Sequence, residues 1–140
     1  MKNIIFIVTI MLSVMLVGCS NGTRVTGKVK YSDGQPVSFG QVALDNGISC
    51  FVGKIETDGS YSMGLVGGEK IPAGSYTVYL QGMVELKEVF GGDNGEEILS
   101  SETIYHVAEK YCSRESSDLK LEVQASGNQT FDFTVERFKK

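Results

Sequence analysis

The sequence predicts an all-β domain, a seven-stranded antiparallel Greek-key sandwich that follows a cleaved amino-terminal segment. Beyond about residue 22 the chain consists of short runs in which apolar and polar residues alternate, as expected for half-buried strands. Glycine, asparagine and aspartate separate these runs at short intervals, which is typical of turns between strands. This part of the sequence contains no convincingly long segment with helical spacing of apolar residues.

Residues 1–18 have the composition of a signal peptide. Lys2 supplies a positive charge, and an uncharged, mostly apolar run of fourteen residues follows from Ile4 to Val17. A membrane-spanning helix needs about 20 apolar residues, so this run is short for a permanent span and suits a signal segment. We therefore expect residues 1–18 to be removed and residues 19–140 to form the mature domain.

The apolar run ends in Leu16-Val17-Gly18-Cys19, which resembles the lipobox of bacterial lipoproteins. The resemblance implies cleavage between Gly18 and Cys19, a diacylglycerol on the Cys19 sulfur and acylation of its new α-amino group. An ordinary signal peptide with an incidental cysteine, or an uncleaved short membrane helix, remains the alternative. Ser20 stands where aspartate is the usual inner-membrane retention signal. This favours the outer membrane over the inner one as the site of a lipid-anchored envelope protein.

If Cys19 carries lipid, the two remaining cysteines, Cys50 and Cys112, are free to pair with each other. Exported proteins reside where disulfides persist, so we expect a bridge between Cys50 and Cys112. The alternative is two separate buried thiols, which would behave as small apolar side chains. A metal site is disfavoured because the chain has one histidine, His106, and no Cys-x-x-Cys spacing.

The first half of the domain is predicted to contain four strands. The first extends from Thr23 to Tyr31, and the second covers about Val37–Leu44, with Gly40 at a bulge. A third strand is expected over Ile48–Glu56, followed by a short one that carries Tyr61 and Met63. The turns between them are predicted from local sequence at Ser32–Pro36, Asn46-Gly47 and Asp58-Gly59.

The second half begins with a glycine-rich loop over residues 64–74, followed by a strand on which Tyr76, Val78 and Leu80 alternate. Residues 84–117 are predicted to form an irregular excursion with an acidic tip and a helical turn. The last two strands carry alternating apolar residues on either side of a turn at Ser126–Asn128; these residues are Leu119, Leu121, Val123, Phe131, Phe133 and Val135.

Several blocks of this sequence together resemble a carboxypeptidase regulatory-like domain. They are Val25–Val29, Asp33–Val37, Thr57–Ser62 and Ile71–Val78. The resemblance implies a transthyretin-like sandwich, similar in architecture to immunoglobulin-like domains, over residues 19–140. The tail, with Glu109–Tyr111, Ser117–Leu119 and Phe131–Val135, resembles small lipoproteins of planctomycete-type bacteria that carry this domain.

No catalytic constellation is evident in the sequence. A transthyretin-like hydroxyisourate hydrolase uses several histidines and a carboxy-terminal Tyr-Arg-Gly-Ser, whereas this chain has only His106 and ends in Glu136–Lys140. We therefore predict a protein that is not an enzyme and has no cofactor and no metal. The acidic tip, with Asp93, Asn94, Glu96 and Glu97, has oxygen ligands that suit calcium, but an exposed charge run is the commoner explanation.

The net charge of −4 and the lack of a basic stripe argue against nucleic acid as a partner. The expected function is a lipid-anchored envelope module that binds, spaces or scaffolds other components without catalysis. The alternative is a carbohydrate- or peptide-binding lipoprotein that uses the 84–117 excursion. The expected partners are the membrane, through the amino-terminal lipid, and an envelope protein or a glycan.

Overall fold

The computed structural model describes residues 22–63, 70–92 and 97–139. Within these ranges the chain forms ten strands and one short 3-10 helix, so the all-β prediction is confirmed. The elements in chain order are β1 Gly22–Tyr31, β2 Gln41–Asp45, β3 Cys50–Lys54, β4 Ser60–Ser62, β5 Gly74–Gln81, β6 Val84–Gly91, β7 Glu97–Tyr105, the 3-10 helix Glu109–Cys112, β8 Lys120–Val123, β9 Ser126–Thr130 and β10 Phe133–Val135.

Two four-stranded sheets form the sandwich. In the first sheet, β1 is central, β4 pairs with one of its edges, and β9 and β10 pair in succession with the other. In the second sheet, the order is β3-β2-β5-β8 and every neighbouring pair is antiparallel. The strands β6 and β7 form a separate two-stranded hairpin, which departs from the sandwich after β5.

The core lies between the two sheets, and it is formed by the apolar residues that alternate with polar ones along the predicted strands. Val25 and Val29 of β1 are fully buried, while Arg24, Lys28 and Lys30 between and beside them are exposed. The same period-two pattern buries one face of β5 in the second sheet, and one face of β8 and of β10. These buried residues are Tyr76, Val78, Leu80, Leu121, Val123, Phe133 and Val135.

The predicted turn at Ser126–Asn128 is wrong, because Ser126–Thr130 form β9 and pair with β1 in parallel. The chain breaks at Phe131 and Asp132 and then resumes as β10, also parallel to β1. At the break the Asp132 carboxylate accepts a hydrogen bond of 2.7 Å from the Lys28 N–H. The segment predicted as a turn and one strand therefore forms two short strands, and both pair in parallel with β1, whereas the other strand pairs among the described residues are antiparallel.

The predicted second strand is shorter than expected because Gly40 ends the extended stretch before it. Gly40 has a φ of 88°, which favours glycine, and β2 begins only at Gln41. A Cβ at this position would lie 2.1 Å from the methyl group of Met83. Gly40 therefore allows the turn before β2 to pack closely against the start of the hairpin.

The sandwich has two ends, and the strand pairings show which residues lie at each end. At one end Gly22 pairs with Ser126, Thr23 exchanges main-chain hydrogen bonds with Ile71, and Gly74 pairs with Val123. We call this the amino-terminal end. At the other, hairpin end, β1 finishes at Tyr31 and β5 finishes at Gln81 before the chain enters β6. The ten residues of β1 separate the two ends by about 30 Å.

Candidate binding site at the base of the hairpin

The segment predicted as an irregular excursion is largely regular in the structure. Residues Val84–Gly91 and Glu97–Tyr105 pair as an antiparallel hairpin, and the predicted helical turn is the 3-10 helix Glu109–Cys112. Most of the hairpin lies outside the core: every β6 residue from Val84 to Phe90 is exposed. Leu86 is 69% exposed, and Val84, Val89 and Phe90 of the same strand are exposed as well.

A groove of about 570 Å³ lies at the base of the hairpin. Val84 and Tyr105, which are opposite each other in the ladder, form one wall. The 3-10 helix and the residues after it form the other wall, which combines apolar and polar groups. The lining residues are Val84, Tyr105, Glu109, Lys110, Cys112, Ser113 and Ser116.

An apolar strip continues from the groove on both sides. Leu86 lies two residues beyond Val84 and therefore on the same face of the hairpin. On the other side, the ring of Tyr105 stacks on Phe138 with 5.1 Å between ring centroids. Phe138 is 40% exposed, so the strip includes side chains from the hairpin and from the carboxy-terminal tail. Surfaces of this kind are typical of contact sites.

Contacts with the tail and with β2 position the 3-10 helix. The Ala108 N–H donates to the Glu136 carbonyl at 2.8 Å, just before the helix begins. Tyr111 is buried in the core. Arg114, after the helix, lies 3.2 Å from the Asp45 carboxylate at the end of β2. The second wall of the groove is therefore held by main-chain, apolar and ionic contacts to three parts of the sandwich.

Charged groups on the outer side of the helix form a small network. The Lys110 ammonium lies 3.3 Å from Asp118 and 3.9 Å from Glu136. It also lies 4.7 Å from the centroid of the Tyr111 ring. The hydrogen bonds to Tyr111 and Asp118 raise the pKa of Lys110, which keeps a positive charge at the rim of the groove.

The predicted Cys50–Cys112 bridge is absent, and both residues are free thiols in the structure. Cys50 lies on the edge strand β3 and its sulfur is 3.6 Å from the Tyr79 hydroxyl. Cys112 lies in the 3-10 helix, which packs against β5, whereas β2 separates β3 from β5. An even number of cysteines does not specify their positions, and a bridge needs Cα atoms within about 7 Å.

Cys112 contributes to the groove as a largely apolar side chain. It is partly buried and packs against the core. Burial, together with the nearby negative charge of Glu109, raises the pKa of the Cys112 thiol. The thiolate is the reactive form of cysteine, so this environment makes Cys112 a weak nucleophile.

His106 lies beside the groove and on the opposite face of the hairpin base. Its Nε2 atom is 3.3 Å from the Glu85 carboxylate, and its ring meets Phe39 edge-on with centroids 4.8 Å apart. Its main-chain N–H donates to the Met83 carbonyl. These contacts join β6, the end of β7 and the turn before β2, and give the histidine a structural role.

Several predicted site residues lie outside the residues that the structure describes. These include Gly18 and Cys19 of the cleavage and lipidation site, as well as Asp93, Asn94 and Glu96 of the acidic tip. Among the described residues, no group of three or more histidine, cysteine or acidic side chains is placed to hold a metal ion. None of the helical structure found there has the length and apolar character needed to cross a membrane.

The groove residues Val84 and Tyr105 are not among the site residues predicted from the sequence. Their local sequence does not single out a site, because the alternation that begins at Val84 ends at Glu88 and Tyr105 lies in a mostly polar segment. They come together only through the hairpin register, which pairs Val84 with Tyr105. In comparisons with known proteins, no family model, no curated protein and no solved structure matches the chain.

Proposed function

We propose that this protein is a lipid-anchored module of the bacterial cell envelope, with a non-enzymatic binding, spacer or scaffolding role. The lipid would be carried by Cys19, after cleavage behind Gly18. In a cell with two membranes, Ser20 next to Cys19 favours the outer one. The resemblance to a carboxypeptidase regulatory-like domain remains part of this proposal.

One observation supports the proposal: β1, the strand nearest in sequence to Cys19, begins at the amino-terminal end, whereas the hairpin base lies at the other end of the sandwich. Strand β1 begins at Gly22, only three residues after Cys19. Three residues span at most about 11 Å, so an anchored Cys19 would hold the amino-terminal end close to the lipid headgroups. The hairpin base would then lie at most about 30 Å further out, the distance it reaches if β1 stands upright on the membrane.

The anchor is tested by intact mass spectrometry of the protein extracted from membranes. We expect a chain that begins at Cys19 and carries a diacylglycerol and an amide-linked acyl chain. A Cys19→Ser variant should lack this mass increment and should retain residues 1–18, because the lipid is added to the thiol before the chain is cut. A Cys50→Ser variant is the matched control and should carry the same lipid as the wild type. An unlipidated wild-type chain would contradict the proposal.

A second candidate function is the binding of a peptide or a carbohydrate at the hairpin base. The groove of about 570 Å³ supports it, since Val84 and Tyr105 line it together with the polar residues Lys110 and Ser113. Such a combination of apolar contact area with a few polar groups is typical of ligand sites. The proposal places the contact residues on the hairpin, the 3-10 helix and the tail residue Phe138.

This second function is tested by screening the full chain against glycan and peptide arrays, followed by titration of any hit. Tyr105→Ala should weaken binding at least about tenfold, because it removes most of one groove wall. Tyr79→Ala, a comparable change on the outer face of β5, should leave the affinity unchanged. Binding that is insensitive to Tyr105→Ala would exclude this groove, and no binding to either array would favour the spacer role.

A further inference from the structure

Strand β6 presents an unpaired edge. Among the described strands it pairs only with β7. The Met83 carbonyl accepts a hydrogen bond from the His106 N–H at 2.9 Å, and this bond fixes the alternation of the ladder that follows. The main-chain groups of Val84, Leu86 and Glu88 consequently point away from β7. An exposed row of such groups is a template for another strand.

We propose that two copies of this chain associate through their β6 strands. The strands would pair antiparallel about a two-fold axis that passes through Leu86. The product is a continuous four-stranded sheet in the order β7-β6-β6-β7. With residues 84–88 of each copy in register, the outward main-chain groups form about six hydrogen bonds between the copies.

The charge pattern of β6 selects this register. With the axis at Leu86, Glu85 of each copy lies directly opposite Lys87 of the other, so symmetry creates two pairs of opposite charge. An axis at Glu85, Lys87 or Glu88 would instead place a charged residue opposite its own copy. Like charges directly opposite each other in a sheet are destabilising, so these three registers are disfavoured.

The apolar side chains agree with the same register. Leu86, which is 69% exposed in one copy, would meet Leu86 of the second copy at the axis. Val84, on the same face and 44% exposed, would lie next to this contact. Beyond Glu88 the ladder has an irregularity between Val89 and Phe90, which limits straight pairing to residues 84–88.

Lys87 is compatible with this arrangement although lysine often protects free edges. It lies opposite Glu102 in β7 within one copy, and it would lie opposite Glu85 of the second copy. The lysine would therefore have an acidic side chain on each side. Five residues per strand make a small interface, so we expect dissociation in the micromolar range or weaker.

The first test is sedimentation equilibrium of the full chain in detergent at low salt, over about 1–300 µM. We expect a monomer–dimer equilibrium that Lys87→Glu weakens by about tenfold or more, because both symmetric pairs become repulsive. The double variant Glu85→Lys/Lys87→Glu should restore dimerisation. Lys54→Glu makes the same charge change on the edge strand β3, and it should have no effect.

The second test uses disulfide cross-linking to determine the register between the two β6 strands. Leu86→Cys places two thiols at the axis, where opposite Cα atoms are about 5.5 Å apart and a disulfide can form. Val84→Cys places them about four residues apart along the strands, so cross-linking should be far slower. The wild-type chain, with its own free thiols, gives the background.

Three outcomes would overturn the proposal. They are a monomer at all concentrations, failure of the double charge reversal to restore the dimer, and equal cross-linking of the Leu86→Cys and Val84→Cys variants. A monomer whose β6 amides gain hydrogen-exchange protection only when an extended peptide is added would show that a foreign strand, and not a second copy, occupies this edge.

Discussion

The Nε atom of Arg137 lies 2.8 Å from the Oδ2 atom of Asp33. This contact joins the carboxy-terminal tail to the turn that follows β1. The same guanidinium lies 3.6 Å above the ring centroid of Tyr31, so the side chain makes an ionic and a cation–π contact at once. Arg137 therefore fixes the tail to the sandwich at the residue just before Phe138, which stacks on Tyr105 beside the groove.

The Asp33–Arg137 contact predicts a dependence of stability on pH. The hydrogen bond from Arg137 is the main reason that the pKa of Asp33 is lowered, with a second hydrogen bond from the Gln35 N–H. A lowered native-state pKa stabilises the fold above the unfolded-state pKa of about 4, and this stabilisation is lost as the pH falls further. Urea unfolding should show Asp33→Asn to be less stable than wild type at pH 7.

The same comparison at low pH provides the control. The difference between wild type and Asp33→Asn should shrink as the pH falls from about 4 to about 2, because the wild-type carboxylate becomes protonated. In a double-mutant cycle with Arg137→Gln, the coupling should be present at pH 7 and absent at pH 2. A coupling that does not change with pH would contradict an ionic contact.

Among the glycines that the structure describes, Gly27 is the one at which a methyl group should be most damaging. A Cβ there would lie 1.9 Å from the Phe131 carbonyl oxygen and 2.9 Å from the Tyr61 hydroxyl. We expect Gly27→Ala to lower the free energy of unfolding by about 3 kcal/mol or more, because β1 and the break between β9 and β10 must separate. Chemical denaturation followed by circular dichroism measures this.

Gly34→Ala is the matched control for Gly27→Ala. Gly34 has a φ of 87°, but a methyl group added to it would have no heavy atom within 4 Å. The cost should be about 1 kcal/mol, which is the backbone penalty alone. Equal losses at the two positions would show that the close approach at Gly27 is incorrect.

The Tyr61 hydroxyl should contribute to the same contact between strands. It donates to the Phe131 carbonyl at 2.5 Å, and the side chain is buried. Tyr61→Phe leaves that acceptor without its partner, so we expect a loss of about 1–3 kcal/mol in thermal or urea unfolding. The ring packing against Phe133 is retained, and the core should otherwise be unchanged. An unchanged stability would show that water replaces the lost hydrogen bond.

The two thiols should differ in reactivity. Cys50 is exposed and should react rapidly with a maleimide, whereas Cys112 is partly buried with a raised pKa and should react slowly. Unfolding in urea should make the two rates similar. Mass spectrometry of peptides that contain each cysteine measures both rates. A chain that labels only after reduction would restore the Cys50–Cys112 bridge predicted from the sequence.

The sequence predicts those strands in which one face must be buried. Val25 and Val29 alternate with polar and charged residues because one face of β1 is in the core and the other is in solvent. This pattern can be recognised from the sequence alone. In β6 the alternation of Val84 and Leu86 with Glu85 and Lys87 ends at Glu88, because every residue from Val84 to Phe90 is exposed and no core requires a continuous apolar face. Local sequence therefore predicts an irregular segment where the structure has a hairpin.

Strand β9 is not predicted from the sequence, for a different reason. Ser126–Thr130 is polar and contains a glycine, which locally favours a turn. Its strand conformation comes from the parallel pairing with Gly22–Thr26, about one hundred positions earlier in the chain. Pairing over such a distance leaves no local signal, and the groove wall formed by Val84 and Tyr105 depends in the same way on register.

The parallel pairing of β1 with the last two strands also governs how the chain folds. Lys28 and Asp132, joined by a hydrogen bond, are 104 positions apart. A contact of this kind requires the closure of a loop that includes most of the domain, and such topologies fold in about milliseconds to seconds. The first strand to be synthesised has to wait for the last ones before its edge is covered. A chain that emerges amino terminus first would therefore complete its first sheet only after its last residues are released, whereas the pairing of β2 with β3 and β5 does not depend on them.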